Sequence, residues 1–176
     1  MATQTTLTPK EFIQKVLIDN IGDIHLKYPY LAFAPMAIGI EFLGKALNSH
    51  EDWNYYASGV PRQDFELAIN SLTSFQKYRP LLTSNKLWDA LRNGFSHSFV
   101  PKGTLSLSSG TETAHLVNVT PTKINLRCED LYIDFKGACE EVIAMDLTSF
   151  ASGKMGRPLL SVPPVVPDNL SYSGTT

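Results

Sequence analysis

Arg92, Asn93 and His97 fall within six consecutive residues, Arg92-Asn93-Gly94-Phe95-Ser96-His97. A guanidinium stays charged at any physiological pH and grips a phosphate through paired hydrogen bonds. An imidazole, with an unperturbed pKa near ~6.5, takes or gives a proton around neutrality. The Asn93 amide can fix the imidazole or bond a phosphate or ribose oxygen, and Ser96 offers a further hydrogen bond. No carboxylate cluster with metal-ligand spacing lies nearby, so the chemistry these groups suit is metal-free. Transesterification of RNA by its own 2′-hydroxyl asks for acid–base help and stabilisation of developing charge, which is what they supply.

Positioning falls to the surrounding stretch, residues 84–99, which reads as an amphipathic helix. Leu87, Leu91, Phe95 and Phe99 recur every four residues as a buried stripe, with Trp88 in the same arc and Arg92 at its edge. Asn93, Ser96 and His97 lie on the other side, Asn93 and His97 one turn apart. Arg92 and His97 are offset by about 140° around a straight helix. They border one cleft only if another surface, or a second copy of this helix, closes over them. Gly94 weakens the helix by ~1 kcal/mol relative to alanine and permits close approach of a ligand or a partner helix. Lys86 and Lys102 are candidate substrate-binding cations beside the motif and form, with Arg79 and Arg92, a local basic group. A basic density this close to average also suits an ordinary solvated surface. Glu41 interrupts the most apolar helix, either as a paired carboxylate or as a partner that orients Arg92 from across the protein.

The remaining elements follow from periodicity and punctuation. Thr8-Pro9-Lys10-Glu11 is a capping box with proline at the first helical position, and helical spacing continues to about residue 27. A second helix over 34–47 is apolar around most of its circumference and should be the most buried. Residues 48–61 form a loop with Trp53, Tyr55 and Tyr56, able to cap a core or to stack on bases. A third helix spans 63–78. Alternation then predicts short antiparallel strands at 104–108, 114–119, 123–127 and 131–134, the first two as a hairpin, before a last helix over 135–150. The fold class is therefore mainly α: about five helices in a bundle, with a small antiparallel β insert at about 103–134 before the last helix. One domain covers 1–152, followed by a proline-rich extended or disordered tail over 153–176.

Composition narrows the function classes. A net charge of −2 does not mark the whole surface as a nucleic-acid binder, though a local basic cleft is compatible with it. The N-terminal residues carry no signal pattern, and the most apolar run, broken by Pro35 and Glu41, is too short to span a bilayer. Cys128 and Cys139 have neither metal nor redox spacing and read as free thiols. His25, His50 and His115 are scattered and read as surface residues. These features predict a cytoplasmic protein with no metal or cofactor and no membrane partner.

Arginine, four to six intervening residues and then histidine, usually with Asn, Asp or His straight after the arginine, is the signature of the HEPN superfamily, and Arg92-Asn93-Gly94-Phe95-Ser96-His97 resembles its form with four intervening residues. With five arginines and four histidines in the chain, the bare spacing is unspecific; the adjoining Asn93 and the amphipathic helix sharpen it. The resemblance implies a helical bundle over about residues 8–150 and a metal-independent endoribonuclease, acting as a homodimer whose two motif helices form one composite site. It also implies a place among toxin–antitoxin and conflict systems, with RNA and a protein antitoxin as partners. Arg92 and His97 would be catalytic and Asn93 would assist. Two departures stand out: Phe99 occupies a place where some toxin members have tyrosine, and the strand insert is not general to the family. Noncatalytic members exist, so an interaction or nucleotide-binding module is the alternative implication, and a helical domain with a coincidental motif is a third reading.

Overall fold

The computed structural model describes residues 5–151, 153–157 and 159–162. The chain is mainly helical, with a small three-stranded sheet. Helix α1 is one rod made of an α-helical turn, Pro9–Phe12, a π-helical stretch, Ile13–Asn20, and a further α-helical part, Ile21–Lys27. Helix α2 spans Pro29–Leu47 and α3 Val60–Ser71. A 3-10 segment, Thr73–Tyr78, runs into the short α4, Arg79–Ser84. Helix α5 joins a π-helical part, Trp88–Asn93, to an α-helical part, Gly94–Ser98, and α6 spans Cys128–Ala144.

Prolines explain where most of these helices begin. Pro9, Pro29, Pro61 and Pro80 each occupy the first or second position of a helix, where the missing N–H has no intrahelical partner to lose. The capping box at Thr8 forms as its sequence implies: the Thr8 hydroxyl accepts from the Glu11 amide at 3.3 Å, and the Glu11 carboxylate accepts from the Thr8 amide at 2.8 Å. Pro29 and Pro80 fall where the first and third expected helices end, and each also starts the next helix. Helix α2 thus begins five residues earlier than its periodicity suggests, and the third expected helix divides at Leu72.

Helix α2 is the central element. Because it starts at Pro29, the apolar run read as too short to span a bilayer lies in a helix of nineteen residues that is long and apolar enough to cross one by length and composition, with half of that stretch buried inside the fold. Phe33, Met36, Ile40 and Leu43 are inaccessible or nearly so. Two glycines let its neighbours come close. A methyl group on Gly39 would lie 2.5 Å from the Phe135 ring of α6. One on Gly44 would lie 1.6 Å from the backbone carbonyl of Asp64 in α3.

The β insert departs from the expected hairpin. Strand β2, Leu105–Ser108, pairs in parallel with β4, Lys123–Arg127, and β3, Asn118–Thr120, pairs antiparallel on its other side. The sheet is mixed, in the order β2-β4-β3. Ile124, Asn125 and Leu126 are all buried, and a strand covered on both faces takes the middle position. The Asn125 amide donates to Ser108 Oγ at 2.7 Å and to the Ala114 carbonyl at 3.0 Å, wedging β4 between the two segments expected to pair. Residues 131–134, expected as a strand, lie within α6. Leu131, Phe135, Ala138, Cys139 and Val142 are its buried side at helical spacing, and Glu129 and Asp130 occupy the favourable first turn.

Long-range polar contacts tie these parts together. His115, half-buried rather than free on the surface, accepts the Arg127 amide on Nδ1 at 2.9 Å, so its proton sits on Nε2. That nitrogen meets the Tyr78 hydroxyl at 2.7 Å, and the hydroxyl donates to Asp134 at 2.5 Å. Burial pushes the His115 pKa down, in keeping with a ring that has to accept. Lys10 of α1 donates to the Ile143 and Met145 carbonyls at the end of α6, where a cation complements the helix dipole.

Of the residues expected as a tail, Lys154 and Met155 are buried. Leu160–Val162 forms strand β5, antiparallel to β1 at Thr5–Leu7; residues 163–176 lie outside the described residues. The Lys154 ammonium donates to Asn48 Oδ1 at 2.6 Å and to the Lys45 carbonyl at the C-terminal end of α2. It lies 5.1 Å from the centre of the Trp53 ring. Burial lowers its pKa to about 8.

Two outcomes test this packing. Gly44→Ala gains roughly 1 kcal/mol of intrinsic helix preference but sets a methyl group against backbone. A net loss of about 2–3 kcal/mol is expected in urea denaturation, with Gly103→Ala, which meets nothing within 4 Å, as the neutral control. For Lys154, the folded pKa lies below the unfolded one. The unfolded chain therefore holds the proton more tightly, and the cost of the buried charge, full below pH 8, disappears as pH rises past about 10.5. Wild type should gain up to about 3 kcal/mol relative to Lys154→Met across that interval. The raised thiol pKa values of Cys128 and Cys139 act in the opposite sense but cancel in the comparison.

Candidate functional site

A cleft of about 480 Å³ opens between α2, the loop after it, the start of α3, and α5. Arg92, Asn93 and His97 all line it. The second surface the motif needs comes from the same chain: Glu41 and Lys45 of α2, Tyr55 and Tyr56 of the loop, and Arg62 and Asp64 of α3 line the opposing side.

Arg92 is held from three directions. Its Nε donates to Glu41 Oε2 at 2.7 Å, its Nη1 donates to Ser96 Oγ at 3.1 Å, and the guanidinium lies 5.0 Å from the centre of the Trp88 ring. Glu41 therefore orients the guanidinium across the protein, the second of its two sequence readings. Two of the five guanidinium N–H groups are engaged in these contacts, which leaves an edge able to meet an anion. Burial pushes the Glu41 carboxyl above its ordinary value, and the facing Arg92 charge offsets part of that.

Asn93 does not touch the imidazole. Its Nδ2 donates to Asp89 Oδ1 at 3.1 Å, one turn back along α5. His97 is exposed and makes no side-chain hydrogen bond to another described residue. Ser96 reaches the site through Arg92, accepting from its guanidinium and donating to its carbonyl at 2.9 Å. Lys86 and Lys102 are exposed and do not line the cleft. Lys86 sits in the left-handed region at φ 49° just before α5, and the Lys102 amide donates to the Ala90 carbonyl. Arg79 is turned to the Ile69 carbonyl.

The neighbour that needs Gly94 is the chain itself. A methyl group there would lie 2.7 Å from the Val100 carbonyl oxygen and 3.1 Å from the Lys102 nitrogen, so the chain leaving α5 turns back over this glycine. Phe99, with φ at 56°, ends the helix in the left-handed region and is 65% exposed. The apolar stripe thus stops at Phe95.

The cleft's other cations are Lys45 and Arg62, which the linear grouping around the motif missed. Glu41 and Lys45 stand four apart on α2 and so share a face; that spacing was the available signal. Arg62 carried none, because only the α2–α3 contact brings it opposite Arg92. Beneath the cleft, buried Asp64 accepts from Asn48 Nδ2 at 2.7 Å, and Asn48 accepts in turn from Lys154. Comparisons with models of protein families, with curated proteins and with solved structures return no match. The functional reading therefore stands on the motif and on this geometry.

A double-mutant cycle tests the central ion pair. The side chains of Arg92 and Glu41 are 22% and 18% exposed. Removing either should leave a half-buried charge unpaired, while removing both costs little more than removing one. Urea denaturation of Arg92→Ala, Glu41→Ala and the double variant should give a coupling of about 1–2 kcal/mol.

Proposed function

We propose that this chain is a HEPN-like, metal-independent endoribonuclease that works as a cytoplasmic homodimer. The observation that carries the reading is the cleft itself, where a clamped guanidinium with a free edge and an exposed imidazole share one wall. In this reading the 2′-hydroxyl of RNA attacks the adjacent phosphorus. The O2′–P bond forms, the P–O5′ bond breaks, and the products carry a 2′,3′-cyclic phosphate and a 5′-hydroxyl. Arg92 neutralises the charge gathered on the phosphorane oxygens, pre-oriented by Glu41 and Ser96. His97 is the acid–base group, removing the 2′-hydroxyl proton or protonating the departing O5′. Its exposure leaves room for the second copy's motif helix, whose own histidine supplies the other proton transfer. Asn93, anchored to Asp89, presents an amide to phosphate or ribose. A protein antitoxin that covers the cleft would silence such an enzyme.

The Glu41–Arg92 pair also favours a second reading. A guanidinium already matched by a carboxylate suits reversible binding, as in a noncatalytic HEPN-like module for a nucleotide or a protein partner.

Cleavage in EDTA separates the two. Purified protein incubated with labelled RNA should generate 2′,3′-cyclic phosphate ends. Arg92→Ala and His97→Ala should each slow the reaction at least about 100-fold, and Glu41→Gln, which loosens the clamp, should slow it less. Cleavage that persists in both alanine variants would remove the nuclease reading; RNA binding without cleavage would leave the module.

A further inference from the structure

The proposed chemistry uses only one wall of the cleft. The other holds two tyrosines and two cations with no part in it. Tyr56 is 75% exposed and Tyr55 40% exposed. Tyr55 stacks on His50 with ring centres 3.8 Å apart, while Tyr56 pairs with no other ring among the described residues. A tyrosine ring pairs an apolar face with a polar tip, which suits it to a binding surface.

The loop bearing these rings is firmly built. The Trp53 indole N–H donates to the Lys154 carbonyl at 2.9 Å, and its ring stacks on Phe42 at 5.0 Å. Asp52 closes the turn, its carboxylate accepting from the Asn54 amide at 2.8 Å and its carbonyl from the Tyr55 amide at 3.1 Å. The tyrosines therefore sit on a preorganised wall.

The cations there are available. Among the described residues Arg62 is paired only with Glu66, one turn along α3 and at the surface, with the arginine side chain 53% exposed. Such pairs contribute little, and a phosphate displaces them readily. Lys45 makes no ion pair among the described residues. The cleft volume lies within the range of about 300–1,000 Å³ that encloses small organic ligands.

From this juxtaposition we infer a nucleotide subsite: Tyr56 stacks on a base flanking the scissile phosphate, while Arg62 and Lys45 hold the next phosphate along the strand. The inference rests on the reading of the Arg92–His97 wall as an RNA site and specifies its substrate as single-stranded. In a duplex the base faces are covered by their neighbours, and a tyrosine in a cleft has nothing to stack on.

Fluorescence anisotropy with the 176-residue chain carrying His97→Ala tests this without cleavage. The probes are a labelled ten-nucleotide RNA of mixed sequence and the same strand annealed to its complement. The single strand should bind at least tenfold tighter than the duplex. Adding Tyr56→Ala should weaken single-strand binding roughly tenfold, with Tyr56→Phe restoring it; the side chain is exposed, so circular dichroism should show an unchanged fold. Adding Arg62→Ala should flatten the salt dependence of binding, by about 0.7 in the log–log slope. Equal binding of strand and duplex, or a Tyr56→Ala variant that binds as well as its parent, would overturn the subsite and leave the cleavage reading intact. RNA neither bound here nor cleaved by the wild-type chain would overturn both.

Discussion

Helices α2 and α3 meet backbone to backbone, with no room for a methyl group between Gly44 and the Asp64 carbonyl. This contact sets the spacing of the cleft. It holds Glu41 and Lys45 on one helix against Arg62 and Asp64 on the other, at a separation that a side chain of any size would widen. Helix α5 lies against both, with Trp88 packed edge-on to Phe65 of α3 and Phe95 stacked over Phe33 of α2. The position of Arg92 is thus decided by the core before any polar contact forms.

Two polar systems then refine what the core has placed. On the open side, the Arg92–Glu41 pair fixes a guanidinium in a partly desolvated setting. There a single charge acts more strongly than it would in water, and an unpaired one would be costly. Underneath, Lys154, Asn48 and Asp64 form a chain from the C-terminal segment to the cleft wall. Both systems join residues far apart in sequence, which makes the cleft a property of the whole fold.

This distance governs how much could be read from the sequence. Local signals were dependable: the capping box at Thr8, the apolar circumference of α2 and the grouping of Arg92, Asn93 and His97 all depend on neighbours within a turn or two. Glu41 was also legible as a partner for Arg92, because an isolated carboxylate on an otherwise apolar helix needs a cation. Failures came where a residue serves two elements. Pro29 and Pro80 both end one segment and begin another, and their initiating role was the one missed. Leu131 to Asp134 alternate for four residues, too short a run to outweigh the helical spacing from Leu131 to Val142. Strand order depended on Asn125, whose buried amide bonds both flanking segments and which nothing local distinguishes from a surface asparagine. Lys45 and Arg62 escaped notice for the same reason: what groups them is the α2–α3 contact.

The Trp53–Lys154 hydrogen bond spans 101 positions along the chain. As the polypeptide emerges from a ribosome, helices α1 to α5 are exposed and able to pack well before Lys154 is made. The tyrosine loop lacks its Lys154 anchor during that interval, since closing so long a loop waits for its far end. The wall opposite Arg92 is consequently among the last parts to set. A nascent chain would carry its motif helix for some time without a finished groove.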